Sequence, residues 1–532
     1  MVKNYFLFLK KKAGFTLLEV LLVLGLVAII TSVIWPLSQI AVSQNEFKNV
    51  VNTLESDLHQ AYTLAREGQN DTSWGVHIEN NNITLFAGDS YNALNTNGFN
   101  RVDSFSTTIS FDGSLYSGGV VDVIFAKLSG VPNIVNNVET IWVKSEQGQY
   151  KGFKINKSGA IFAYNPAIYG VTSGSPDYPT GAIFKTNPDG TNYKVIYSFA
   201  GSNGEYPSGK ILLLNNRIYG TTSSGGSNGS GVVYSLDLTT PESPVYTVLH
   251  DFNGSDGSNS NCDLIASSDG SVLYGTTSTG GASNKGVVFS LDISNFANPV
   301  FTNLHDFSGT DGWFPLGNLV LVDKKLYGTT QVGGTHASGN IFSLDISNPS
   351  NIIYTNLYNF NRNTNDGFYP WGMVQYGSKL FGLTNIGGQY TYGTIYSFDT
   401  SNNTYTKLHE FSGGYSDGFY PQWGNLAIFG DKFYGTSSEN GGNWSSAANG
   451  IIFSFDPSNN TFTDIYHISA SDASGFPENL YISGQKIYSN SVNGGPNFTG
   501  GIYTFNLANN QFTILSNYKN NGDGSSTGLI VD

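Results

Sequence analysis

An aromatic-glycine dipeptide returns along most of this chain at nearly constant spacing, and no other feature restricts the fold as much. It stands at Tyr169-Gly170, Tyr219-Gly220, Tyr274-Gly275, Tyr327-Gly328, Phe381-Gly382 and Tyr434-Gly435, with Tyr488-Ser489 as a seventh, altered copy. The intervals are 50, 55, 53, 54, 53 and 54 residues. In the best-preserved unit, residues 316–323, 325–330, 339–345 and 353–357 are strand-length segments separated by turn signals such as Asp323-Lys324 and Gly333-Gly334. Four strands per period predict an all-β, seven-bladed propeller over residues 166–532. A solenoid is the structural alternative, but its coils are usually shorter than this period. The segment Gly528-Leu-Ile-Val-Asp532 matches the first strand of a unit, and the unit opened at Ala167 lacks one. The C-terminal strand is therefore expected to close the ring and remove two exposed sheet edges.

Composition agrees with many short strands. Glycine accounts for 64 of 532 residues, aromatic residues for 14% and charged residues for only 12%, which excludes disorder driven by charge. The formal charge of −14 disfavours a nucleic-acid partner, because such partners are held by clustered Lys and Arg. A single cysteine, Cys262, excludes an intramolecular disulfide and a thiolate metal cluster.

The first 34 residues follow a different rule. Lys10-Lys11-Lys12 precede an apolar run from Phe15 to Ile34, long enough to span a bilayer with the lysines on the cytoplasmic side. Within that run stands Glu19, whose carboxylate costs about 2.5 to 3.5 kcal/mol at such a depth and so calls for a partner or a task. These residues resemble the class III signal of type IV pilins and type II secretion pseudopilins. The resemblance implies cleavage by a prepilin peptidase after Gly14, methylation of the new N-terminal Phe15, and pairing of Glu19 with the N-terminal amine of a neighbouring subunit. Pro36 falls where pilins commonly carry a helix-kinking proline. Removal of residues 1–14 takes away four of the 25 basic residues, and the mature charge becomes 21 − 39 = −18.

Beyond the membrane segment, 15–38, the apolar residues Val50, Val51, Leu54, Leu58, Ala61, Tyr62 and Ala65 recur at helical spacing, with Asn52, Glu55, Asp57 and Gln60 as the polar face. The helix is expected to reach Arg66 and stop at Gly68. Alternating stretches at 74–78, 83–86, 107–111, 120–125, 139–143 and 150–155 predict a small antiparallel sheet beside it. The α+β domain over residues 39–165 resembles the globular head of H-type minor pseudopilins. His59 and His77 are its only histidines, for which a surface or capping role is expected.

Loops joining the last strand of one blade to the first of the next carry most of the candidate chemistry. They read Asp311-Gly-Trp313-Phe314-Pro315, Asp366-Gly-Phe368-Tyr369-Pro370-Trp371, Asp417-Gly-Phe419-Tyr420-Pro421-Gln-Trp423 and Ser474-Gly-Phe476-Pro477. Trp444 and Tyr390 fall on other loops of the same face. Trp313, Tyr369, Trp371, Tyr420, Trp423 and Trp444 are the candidate ligand-binding residues, since aromatic faces on a rigid scaffold suit sugar rings or extended peptides. The competing explanation is a turn whose aromatic wedges between neighbouring blades. His250-Asp251, His305-Asp306 and His409-Glu410 resemble acid-base pairs, but they recur once per blade on the outer strand, as a structural pair would. Asp256, Asp311, Asp366, Asp417 and Asp523 lack the ligand alternation of an EF-hand loop, so no metal and no cofactor is expected. The chain carries no catalytic motif.

The order of strands within a unit resembles kelch blades, and the Tyr-Gly-Thr-Thr-Ser runs with Gly-Gly at 219–226 and 274–281 resemble the Gloeo/Verruco tandem repeats of bacterial surface proteins. Together these features predict a minor pilin or pseudopilin that displays a propeller for adhesion or capture of a surface glycan or protein. Its partners would be prepilin peptidase, other pilin subunits and the inner membrane before assembly, and its destination the cell surface or an extracellular filament. The alternatives are a pilin-anchored secreted enzyme acting on glycans and a docking platform for another secreted protein.

Overall fold

A computed structural model describes residues 44–531, except 80–81, 92–98, 106–108, 112–120, 127–131, 135–139, 146–149, 156–158, 165, 175–176, 241–242, 414–416, 422–425, 439–449, 469–479, 484, 492–500 and 518–527. Gly14, Phe15, Glu19, Pro36 and the segment 15–38 lie outside the described residues, as do Trp423, Trp444 and Asp523. Among the described residues, no helix is long and apolar enough to cross a membrane. The described residues form two compact units, one before residue 165 and the other from residue 166 on.

In the first unit, residues 44–66 are helical, and Val50, Leu54, Leu58, Ala61 and Ala65 are buried at the spacing that the sequence shows. Gly68 follows in the left-handed region, with φ of 67°, where glycine ends a helix without strain. The sheet is two sheets. One has the order Asn100–Ser104, Asn82–Ala87, Trp74–Glu79, Val121–Phe125 and Pro132–Ile134; the other runs Ile109–Phe111, Thr140–Ser145, Tyr150–Ile155 and Ile161–Tyr164, all antiparallel. Two side chains depart from expectation. Asp57, assigned to the polar face, is fully buried because Arg101 of the edge strand reaches it, while Gln60 accepts from the same guanidinium at 2.9 Å. His77, expected at the surface, is buried and stacks on Tyr91 with ring centroids 3.6 Å apart.

Among the described residues, the second unit contains seven four-stranded antiparallel sheets. In the second of them, strands a to d are Glu205–Leu214, Arg217–Ser224, Val232–Asp237 and Val245–Asp251. The other sheets keep the same order, and each repeat dipeptide lies in strand b. In the first sheet, strand a is the distant segment Gly528–Val531, which pairs with Ile168–Thr172 in the register Ile168↔Val531 to Val171↔Gly528.

The dipeptide glycine has a packing cause. Gly275 and Gly328 of strand b face Phe289 and Phe342 of strand c, and a Cβ on either glycine would come within 2.5 Å of the ring. The ring lies across the space that a side chain would fill. From the end of strand d of the preceding sheet, Phe252 and Phe307 meet these rings edge to face, at 5.5 and 5.2 Å, and so join neighbouring sheets in a shared core. Gly328→Ala should therefore destabilise the chain by about 1 to 3 kcal/mol, read as a lower urea midpoint at unchanged slope. Turns between strands a and b are tight: Asn215 and Asn216 both adopt positive φ, 51° and 57°, as a two-residue hairpin turn demands. Threonine hydroxyls after the dipeptide tie sheet to sheet. Thr276 Oγ1 donates to Pro315 O at 2.8 Å and Thr329 Oγ1 to Trp371 O at 2.9 Å.

Candidate functional site

The segments between strands d and a are held by pairing with strand b. Tyr369 and Trp371, expected on a loop, lie within strand a of the fifth sheet, Gly367–Tyr376, where Phe368 pairs with Ile386. The same stretch in other sheets pairs with the end of strand b through Glu205↔Ser224, Ser258↔Thr279, Trp313↔Val332 and Phe419↔Ser438. The correction has a simple cause: strand b runs past the dipeptide, and the incoming chain bonds to that extension.

One position in this segment is strained. Tyr206, Phe314, Tyr369 and Tyr420 have φ of 54°, 57°, 56° and 44°, a region in which a bulky side chain is an outlier costing about 1 to 3 kcal/mol. Each backbone N–H donates to a carbonyl of the preceding sheet: Thr180, Lys285, Ser338 and Tyr392, at 2.9, 3.3, 3.3 and 2.9 Å. The proline that follows, Pro315, Pro370 or Pro421, abuts Gly286, Gly339 or Gly393 of that sheet, each at a positive φ between 92° and 105°. The proline is thus the wedge between neighbouring sheets, a part that the sequence offered to the aromatic residue. Tyr206 remains 45% exposed, and Phe314, Tyr369 and Tyr420 are partly exposed.

Trp313 is engaged with its own protein. Its ring carries the Lys285 ammonium 3.2 Å from the centroid, stacks on Phe314 at 4.8 Å, and has a buried indole N–H without a hydrogen-bond partner. Tyr390, on the loop between strands b and c of the fifth sheet, is 47% exposed. Sequence reasoning passed over Tyr206 and left Phe314 out of the candidate binding residues; the available signal was an aromatic residue directly before proline in both, as in Tyr369-Pro370 and Tyr420-Pro421.

The histidine pairs are rearranged. His250, His305 and His409 meet Asp256, Asp311 and Asp417 through Nε2, at 3.1, 3.0 and 3.4 Å, rather than the acids next to them in sequence. In the fourth sheet, Tyr358 takes the same part and donates to Asp366 at 2.6 Å. The adjacent acids cap other loops: Asp251 accepts from Ser227 N at 2.8 Å and Asp306 from Ala282 N at 2.9 Å. Each ring also stacks on an aromatic of the next sheet, His250 on Phe301 at 3.9 Å and His305 on Tyr354 at 4.2 Å. Burial lowers the affinity of His250 and His305 for a proton, outweighing the attraction of Asp256 and Asp311. Because folding depresses these values, the unfolded chain takes up protons first as the pH falls below about 6.5. Acidification from pH 7 to pH 5 should therefore lower the melting temperature of the repeat unit, and His250→Gln with His305→Gln should flatten that dependence.

Three overlapping stretches, residues 134–297, 239–447 and 374–532, match the Gloeobacter/Verrucomicrobia repeat. The chain belongs to that repeat family. Residues 9–35 of this Gloeobacter/Verrucomicrobia repeat protein match the prokaryotic N-terminal methylation motif. That type IV pilin signal implies processing by prepilin peptidase, assembly with other pilins and passage from a membrane anchor to the surface. No curated protein matches the chain. Among solved structures, a Bacteroides fragilis protein provisionally assigned as a 6-phosphogluconolactonase is 13% identical, with 69% of this chain and 98% of that one covered and a TM-score of 0.47. A Lactobacillus plantarum protein is 12% identical over 69% and 98%, with a TM-score of 0.47. TolB from Acinetobacter baumannii is 13% identical over 67% and 78%, with a TM-score of 0.34.

Proposed function

We propose that the protein is a minor pilin or pseudopilin whose repeat unit is a closed seven-bladed propeller, displayed to capture a ligand at the cell surface. The observation that carries this reading is the presence, in one chain, of a methylation motif at residues 9–35 and of repeats that build seven four-stranded sheets. Closure is supported by the pairing of Gly528–Val531 with Ile168–Thr172, since that strand also approaches its neighbours: Tyr481 Oη of the seventh sheet donates to Val531 O at 3.0 Å. A head of this size suits a tip or sparse position better than every subunit of a packed shaft. Capture rather than catalysis is favoured because each His–Asp pair serves its own sheet, orienting a loop and stacking on the next sheet.

Processing tests the pilin reading. Cells with an active prepilin peptidase should yield a chain beginning at N-methylated Phe15, and mass spectrometry of the purified N-terminus reads it. A mature chain starting elsewhere would refute the assignment. Glu19→Ala should leave cleavage intact and reduce incorporation into filaments, because only the charge pairing between subunits is lost.

A further inference from the structure

Among the described residues, this left-handed position recurs in five consecutive sheets, the second to the sixth, and the wedge proline follows it in all but the third, where Ser260 stands. In the third it is occupied by Asn259, with φ of 57° and its N–H on Ser230 O at 3.1 Å, the same backbone arrangement as in the other four. Asparagine is a residue that tolerates this region. The backbone therefore needs nothing larger than asparagine here, yet four sheets place Tyr or Phe at the same point. Those rings are not required by the turn, and Tyr206 leaves 45% of its surface to solvent. All four occupy the same end of their sheets, because each segment pairs with the end of strand b.

From this we infer that Tyr206, Phe314, Tyr369 and Tyr420 form a stacking surface for a neutral polysaccharide. This rests on the reading of the repeat unit as a ligand-capturing head. An aromatic ring offers a flat apolar face to the C–H face of a pyranose at little entropic cost. A site written once per sheet also fits a ligand that is itself a repeat. Charge selects the neutral class: the mature chain carries −18, and the aspartates of three of these motifs are committed within the fold, Asp311 to Ser308 N at 2.7 Å and to His305, Asp366 to the Tyr358 hydroxyl and Asp417 to Ser412 N at 2.8 Å. A polyanion would be repelled.

The inference predicts a trade between binding and stability. Tyr206→Asn, Tyr369→Asn and Tyr420→Asn, combined in the full chain purified in detergent, place at this position the residue that the third sheet carries there. Affinity electrophoresis through gels containing hydroxyethyl cellulose, glycol chitin or mannan is the binding measurement, with alginate as the anionic comparison. The parent chain should be retarded by at least one of the neutral polymers and not by alginate. The triple variant should lose at least about tenfold in affinity while melting no lower than the parent, and by roughly 2 °C higher if the strain is relieved. No retardation by any neutral polymer, retardation by alginate alone, undiminished affinity in the variant, or a lowered melting temperature would each overturn the proposal; the last would make the rings packing groups. The N-terminal mass measurement is independent of all four outcomes, so failure of the glycan site and failure of the pilin reading are distinguishable.

Discussion

Deletion of Gly528–Val531 is expected to destabilise the repeat unit by about 5 kcal/mol or more, close to the whole stability of many domains. The four residues form strand a of the first sheet, and Leu529 and Val531 are 1% and 5% exposed. Burying a Leu, Ile or Val side chain contributes roughly 1.5 to 3 kcal/mol, and the strand carries one of each. Its loss also uncovers Gly170 and the ring of Phe184 beside it. On the other side, Gly528 packs against the backbone of Gly209 and Lys210 in the second sheet, while the bond from Tyr481 of the seventh to Val531 O is lost. Urea unfolding of the full-length and shortened chains should show a lower midpoint and a broader or biphasic transition, because sheets that lose a neighbour no longer melt together. An unchanged midpoint would mean that the array is open and that closure contributes nothing.

Periodicity made the repeated sheets legible because packing repeats at the same residues. The aromatic-glycine dipeptide marks strand b, and its glycine answers the ring of strand c, as with Gly275 under Phe289. Hidden from the sequence were contacts that depend on how far a strand continues. Nothing in Phe368-Tyr369-Pro370 shows that strand b runs on to meet it, so a strand was expected as a loop. The partner of His250 was misassigned for a related reason: the loop after strand d folds back when Asp256 accepts from Asn253 N at 2.9 Å, which brings an acid six residues away under the imidazole. Tyr206 was missed because the aromatic-proline pair does not by itself show the exposure and the positive φ that set this residue apart. Asp57 looked polar and peripheral on a helical projection, and only the position of Arg101 on a distant strand draws it inside.

That pair leads to the second large effect. Replacing Arg101 by Ala should destabilise the helical unit by about 3 to 5 kcal/mol near neutral pH, the usual consequence of leaving a buried charge without its partner. Asp57 is fully buried, and its Oδ2 has no hydrogen-bond partner. Burial pushes its carboxyl up to about 6, against the opposing pull of the Arg101 guanidinium. The fold thus holds this proton more tightly than the unfolded chain does. Its contribution is fully present below the ordinary carboxylate value and is lost as the pH rises through about 6, opposite in sign to the histidines of the repeat unit. Without Arg101 the carboxyl shifts higher still, so acid should rescue the variant: at pH 4.5 a neutral Asp57 needs no counter-charge. Hydrogen exchange of the amides in residues 44–66 separates the two units and can be followed at both pH values. Protection lost at pH 7.5 and largely regained at pH 4.5 is the expected result, with Asp57→Asn in the Arg101→Ala background restoring protection at both. Equal loss at the two pH values would assign to Arg101 only the packing of its side chain against the helix.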